Sequence, residues 1–278
     1  MGGVTTAPDT LLGDFELATD VPACYLPLGD DRFAPTIHVQ GAWRPDEQHM
    51  APVGGLIAHA IETHEPRPEL QLARISYDIL GVMPARPSVV EVHTVRPGRT
   101  IELVEATMSV DGRPVVRARA WRLATGDSSA AAGLELEPMP HPDEFPRWTG
   151  MEIWGGGYIR SLEVRADPAR RPGRARVWMR SGNALVAGED VSPTAAFLAF
   201  ADTANGIAVR VPPGEWAFPN VDLTVHLLRE PVPGWVGLDT RVNLGDNGIG
   251  LTSSVLHDVR GPVGTVEQIL TVRPLPGS

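Results

Sequence analysis

Lysine is missing from this chain of 278 residues: every one of its 24 basic side chains is arginine. That excludes Schiff-base and P-loop lysine chemistry, and a GC-rich coding sequence is its simplest source. Cysteine is nearly missing too. Cys24 stands alone, so no internal disulfide exists, and a reducing cytoplasm is the expected setting. The eight histidines never fall in a close pair at ligand spacing, and no H-E-x-x-H pattern or cysteine cluster is present, so no metal and no cofactor are expected. No apolar run approaches the roughly 18–20 residues that cross a bilayer, so no membrane span is expected. The first residues, "MGGVTTAPDTLLGDFE", lack the basic patch and apolar core of a signal peptide. Gly2–Thr6 fits the loose N-myristoylation pattern, but a plain frayed terminus explains it as well. A formal charge of −10 leaves no broad basic surface, so no nucleic-acid partner is expected.

What is present has the grammar of a duplication. Residues 126–147, "GDSSAAAGLELEPMPHPDEFPR", are rich in small residues, proline and acid with no sustained period, and read as a linker. It divides an N-terminal unit (1–125) from a C-terminal one (148–278). In the first unit the spacing predicts a helix over 53–65, its stripe formed by Leu56, Ile57, Ala60 and Ile61. Strand-like runs follow, the last a hairpin turning at Asp111-Gly112. The second unit repeats this order. A helix from Pro193 to about Ala208 has Ser192 as its N-cap; strands and a hairpin turning near Arg260-Gly261 come after it. A long helix on a curved antiparallel sheet is predicted for each unit, an α+β class. Joined edge to edge, the sheets would bring the helices together and leave a crevice between them for an elongated ligand.

On "GGLIAHA", "FADTANG", "FPNVDLTVHLLREP" and "VGTVEQILTVR", in that order and spacing, the chain resembles the acyl-CoA thioesterase II family. The resemblance covers about residues 30–124 and 150–274. It implies a tandem (double) hot-dog fold, hydrolysis of acyl-CoA thioesters to acid and thiol, and oligomers of double hot-dog chains. It also implies a water held in the second unit by an Asp on the helix, a hydroxyl residue on the next strand and a Gln on the last. These positions fall on Asp202, Asn220 and Gln268. Asn220 departs from the pattern, because an amide holds water but cannot share a hydroxyl proton; Thr224 is the fallback if the register is shifted.

Read from the residues, Asp202 lies on an otherwise apolar helix, sharing a flank with Leu198 and Ala199. It is either a solvent-facing acid or a half-buried one with the raised pKa of a general base. Gln268 shares a strand face with Val266 and Leu270 and needs a partner if buried; it is expected within about 6 Å of Asp202, water-bridging reach. Aligning the helix starts sets Ile61 opposite Asp202, and aligning Pro114 with Pro262 sets Ala120 opposite Gln268, so only the second unit carries polar groups there. Val53-Gly54-Gly55 is read as the opening of the first helix, its free N–H groups offering a substrate-binding oxyanion site at Gly54 and Gly55; close packing is the competing account. His49 reads as loop. Asp222, Thr224 and His226 share one strand face, read as solvated or as an interface; "GDNGIG" at 245–250 is a turn. Arg160, Arg170, Arg171, Arg174 and Arg176 are all available for CoA phosphates. The rival functions are a non-catalytic acyl-thioester binding module, for which Asn220 speaks, and a hot-dog dehydratase, whose G-D-x-N-P-x-H-like segment is absent.

Overall fold

A computed structural model describes residues 16–276; the Gly2–Thr6 pattern lies outside them. The first unit runs β1 (Ala23–Gly29), β2 (Arg32–Pro35), α1 (Met50–Thr63), β3 (Leu70–Ile79), β4 (Ser88–Arg96), β5 (Ile101–Val110) and β6 (Arg113–Ala124). The second has α2 (Gly157–Arg160), β7 (Leu162–Ala166), β8 (Arg174–Ser181), β9 (Ala184–Val186), α3 (Pro193–Leu198) and α4 (Ala204–Ile207). It continues with β10 (Trp216–Ala217), β11 (Asp222–Leu227), β12 (Val236–Leu244), β13 (Ile249–Asp258), β14 (Gly261–Thr271) and β15 (Arg273–Pro274). Thirteen strands form one sheet in the order β7-β8-β12-β13-β14-β11-β3-β6-β5-β4-β2-β1-β9. The fold is a tandem hot-dog, as expected: two helix-on-sheet units fused edge to edge.

The seam is the antiparallel pairing of β11 with β3, from Asp222 opposite Asp78 to His226 opposite Arg74. The face of Asp222, Thr224 and His226 is therefore graded rather than uniformly solvated: His226 is exposed, while Asp222 and Thr224 are half-buried. Asp222 accepts the Ile269 N–H at 2.6 Å, which clamps β14 to the start of β11.

The two hairpins close on equivalent pairs, Val110 with Arg113 and Asp258 with Gly261. The first is a two-residue turn with Asp111 and Gly112 at φ 50° and 74°, the left-handed pair that matches strand twist. Counting from these closing pairs sets the Val104–Ala120 pair of the first unit against Thr252–Gln268 of the second. Likewise Val92–Ala106 stands against Thr240–Ser254. All eight side chains face the covered side of the sheet, and only the second unit's row is polar.

The helices depart from expectation in two places. The first begins at Met50, three residues before Val53, because His49 caps it: its Nδ1 accepts the Ala51 N–H at 3.1 Å. Pro52 sits in the first turn, where its missing N–H costs nothing. At the other end the Arg122 guanidinium, ion-paired to Glu102 and buried with it, donates to the carbonyls of Ile61 and His64. The second helix, predicted continuous, is broken. Ser192 caps α3 as expected, accepting the Ala195 N–H at 3.0 Å, but α3 stops at Leu198, and a 3-10 turn over Ala201–Thr203 leads into α4.

Tyr158 causes the break. Its hydroxyl donates to the Ala199 carbonyl at 3.1 Å and meets the Thr203 hydroxyl at 2.8 Å, so the Thr203 N–H turns to Phe200 O instead. A side chain inserted into the i→i−4 ladder is a standard origin of such kinks. Tyr158→Phe should leave the Thr203 hydroxyl and the Ala199 carbonyl buried without this partner, a cost of about 1–3 kcal/mol. Thermal melting followed by circular dichroism is expected to show the loss.

Residues 126–147 carry two short 3-10 turns and lie along the second unit. Trp178 Nε1 donates to Pro140 O at 2.9 Å, and His257 Nε2 contacts Glu137 O at 3.0 Å.

Candidate active site

α1 and α3 pack antiparallel at close range. Gly55 makes the approach possible: a Cβ there would lie 2.7 Å from Ala199 Cβ and 2.9 Å from the Ala195 carbonyl oxygen. This corrects the reading of Gly54 and Gly55 as a ligand-binding helix start. With α1 beginning at Met50, both N–H groups lie in the second turn and are spent inside the helix. Gly54 instead offers its carbonyl to the Tyr77 hydroxyl at 2.8 Å. The middle of the inter-helix crevice is closed for the same reason. What opens is its end, where the His49 cap of α1 meets the break after α3.

Asp202 sits in that break. Because α3 ends early, its carboxyl is carried on a 3-10 turn and buried under the sheet rather than along a helix flank. Oδ1 accepts two amide N–H groups, from Asn220 Nδ2 at 2.7 Å and Gln268 Nε2 at 2.9 Å. The three residues read from the sequence thus converge on one oxygen. Asn220 is fixed in turn by donating to Asp222 O at 3.0 Å, and it is Asn220 rather than Thr224 that bonds to Asp202. Oδ2 accepts no hydrogen bond from the described residues and lies 3.6 Å from His49 Nδ1.

Burial raises the Asp202 carboxyl from 3.8 to about 7, against the opposing pull of the two amides. Burial also lowers the His49 imidazole to about 3. His49 is thus neutral, and its Nδ1 lone pair is engaged by Ala51 N–H, which places the proton on Nε2. Of the two, Asp202 has by far the higher proton affinity near neutral pH. The His49 ring lies against Tyr158, with centroids 4.4 Å apart, so the same tyrosine that breaks the helix also seats the histidine.

His49 was read as loop; its signal is positional, a histidine immediately before a helix start, and local pattern cannot say what that start faces. The polar row Thr240, Ser254, Thr252 and Gln268 was also passed over except for its last member. All four are buried, Thr240 and Ser254 bond to each other at 2.7 Å, and Thr252 Oγ1 and Gln268 Oε1 have no partner among the described residues. Comparing the hairpins residue by residue would have found Ser254 and Thr252, and Thr240 follows as the partner of Ser254 on the neighbouring strand. Counted from its observed start, α1 sets His59 level with Asp202 rather than Ile61. His59 is tied to Glu189 at 2.7 Å.

Asp202, His49 and Asn220 line two spaces at once. One, a small space of about 40 Å³, is walled by Trp43, Trp154, Met151 and Ile159. Trp43, Trp154 and Phe218 form an edge-to-face cluster with centroids 4.9–5.9 Å apart. The other, of about 250 Å³, runs to the seam and is lined by Met50, Ile79, Val82, Met83 and Val221.

Residues 39–123 match the profile of the acyl-CoA thioesterase N-terminal domain, and residues 134–272 that of the C-terminal domain. The chain belongs to the acyl-CoA thioesterase family. Its activity is thioester hydrolysis. Solved structures share the thioesterase's fold. A hot-dog protein of Alicyclobacillus acidocaldarius superposes with TM-score 0.71 at 17% identity, over 91% of this chain and 97% of that one. The tesB protein of Mycobacterium avium gives 0.65 at 17%, over 90% and 96%. An acyl-CoA thioesterase II from Mycobacterium marinum gives 0.63 at 15%, over 92% and 97%. No curated protein matches the chain. No helix among the described residues is long and apolar enough to cross a membrane.

Proposed function

We propose that Asp202 is the general base of this thioesterase, and that Gln268 and Asn220 fix its carboxylate so that Oδ2 alone meets the water. The water oxygen bonds to the thioester carbonyl carbon as Oδ2 takes its proton. The tetrahedral intermediate then collapses, the C–S bond breaks, and the proton passes to the thiolate, giving free acid and CoA. The α1 N-terminus supports the developing oxyanion through the Met50 N–H, for which the helix has no acceptor, and through the positive end of its dipole. The acyl group takes the apolar space toward the seam and the CoA arm the aromatic-walled one. Acyl-CoA is the substrate and the cytoplasm the setting. Exposed Leu80, Val82 and Val221 at the seam support an oligomer of such chains, which light scattering tests.

The observation that carries this reading is a buried carboxyl poised at about 7 with one oxygen held by two amides. Release of free thiol from a panel of acyl-CoAs, acetyl to palmitoyl, tests it. The rate is expected to rise with pH through about 7 to a plateau, since Asp202 is a base only when ionised. Stability moves the other way. A folded-state pKa raised above the unfolded one gives stability that is full below the ordinary 3.8 and lost as pH rises through about 7. The Asp202 contribution, read as the difference in melting temperature between wild type and Asp202→Asn, is therefore expected to fall between pH 4 and pH 8 as kcat/KM rises. A rate independent of pH across that window would remove Asp202 from the role.

A further inference from the structure

The acidic chain keeps a knot of positive charge beside its site. Arg171 and Arg174 exchange backbone hydrogen bonds at 2.9 and 2.8 Å, and Arg241 stands opposite Arg174 across β8 and β12. Arg174 is held by Asp239, and Arg176 by Asp167. Arg170, Arg171, Arg210 and Arg241 are exposed and have no carboxylate partner among the described residues. The Arg174 guanidinium is pulled below its ordinary range first by burial and then by the charges of Arg241, Arg176 and Arg171. Four unneutralised guanidiniums in a chain of net charge −10 form a local field for anions.

This knot borders the catalytic pocket. Arg170, stacked on Trp148 at 4.9 Å, and Arg171 line a groove of about 240 Å³ that also includes Gly150, Ile153 and Gly206. Gly206 lines the Asp202 pocket as well, about one helical turn beyond Asp202, and the Trp154 indole packs on it, Nε1 donating to Gly206 O at 3.0 Å, so Trp154 and Gly206 together form the wall between the two spaces. Asn205, 8% exposed, lines the same pocket. Its Nδ2 is spent on Phe218 O at 2.9 Å, while its Oδ1 is buried with no partner among the described residues. A buried acceptor of that kind calls for an N–H donor. The amides of a pantetheine arm supply one.

We propose that the CoA half of the substrate leaves the catalytic pocket past the edge of Trp154, with a pantetheine amide on Asn205, and seats its phosphates on Arg170 and Arg171 within the field of Arg210 and Arg241. Arg174 and Arg176 are committed to carboxylates and Arg160 to Gln40 Oε1 at 3.2 Å, so they are not the anchors. The proposal rests on the acyl-CoA thioesterase reading and narrows it.

The test compares one acyl group on two thiols, CoA and N-acetylcysteamine, the second lacking every phosphate. In the double variant Arg170→Ala/Arg171→Ala, KM for acyl-CoA should rise roughly tenfold or more with kcat retained. Hydrolysis of the N-acetylcysteamine thioester should not change. Equal shifts on both thioesters, or none on either, overturn the proposal while leaving the hydrolase reading intact. A loss confined to an acyl-carrier protein, with acyl-CoA unaffected, also overturns it, in favour of an acidic protein partner. If neither thioester is hydrolysed by the parent protein, the hydrolase reading is what fails. Calorimetric binding of free CoA then decides the site: tenfold weaker binding by the double variant supports it, and equal binding overturns it.

Discussion

Asp202→Asn is expected to lower kcat on acyl-CoA by roughly 10²–10⁴-fold, the usual cost of removing a general base. The amide is nearly the same size, and its oxygen can keep the bonds from Asn220 and Gln268, but the NH2 that replaces Oδ2 cannot take a proton from water. The loss is not one of folding: a neutral group at this buried position should melt higher than the wild type above pH 7, because the ionised carboxylate is what burial penalises. Gln268→Ala should lose less activity than Asp202→Asn, as Oδ1 keeps the Asn220 bond. Asn220→Thr should retain activity, since a hydroxyl can donate to the same oxygen. Steady-state thiol release and thermal melts on the three variants check the ranking. Near-normal turnover in Asp202→Asn would place the activation of water elsewhere.

The largest structural effect is expected at Gly55. Gly55→Val drives a branched side chain into Ala199 and the Ala195 carbonyl, where even a Cβ finds contacts of 2.7 and 2.9 Å. Neither neighbour can swing aside, being a Cβ and backbone, so α1 and α3 must separate. Overpacking of this kind costs typically about 1–3 kcal/mol and occasionally more. Because α3 carries Asp202 just past its end, kcat should fall together with the melting temperature. Gly54→Ala is the control one residue away. Its added methyl would meet Tyr77 at 3.7 Å and the Leu198 carbonyl at 3.8 Å, ordinary contact, and helix propensity should favour it by roughly 0.5–1 kcal/mol. A ligand cradle at the two glycines predicts the opposite pattern, with KM altered at both positions and stability at neither.

Much of this protein was legible from residue order alone. The duplication, the paired hairpins and the Ser192 cap follow from periodicity and turn chemistry, while the family resemblance is what pointed to Asp202, Asn220 and Gln268, which the structure brings together. Those signals are local or repeat at a fixed spacing, so a string displays them. Counting from the two turns even carries the contrast between Val104–Ala120 and Thr252–Gln268, because antiparallel pairing turns sequence separation into position. The strands β1, β2, β7, β8, β9, β10 and β15 were not found: β2, β9, β10 and β15 are only two to four residues long, whereas β7 and the first half of β8 do alternate apolar and charged residues and that signal was passed over.

Tertiary structure decided the rest, and Tyr158 is the clearest case. Forty-odd residues from the helix it breaks, it changes where Asp202 points, seats His49, and turns a predicted helix flank into a buried site. No window of sequence around residue 202 contains that information. The same holds for Gly55, whose meaning depends on Ala195 and Ala199 arriving from the other unit, and for Arg170 and Arg171, which only the folding of residues 150–154 and 206 brings to the edge of the pocket. Local physics sets which elements form; contacts between distant elements, bought with the burial of both helices against one sheet, set what the elements do to one another.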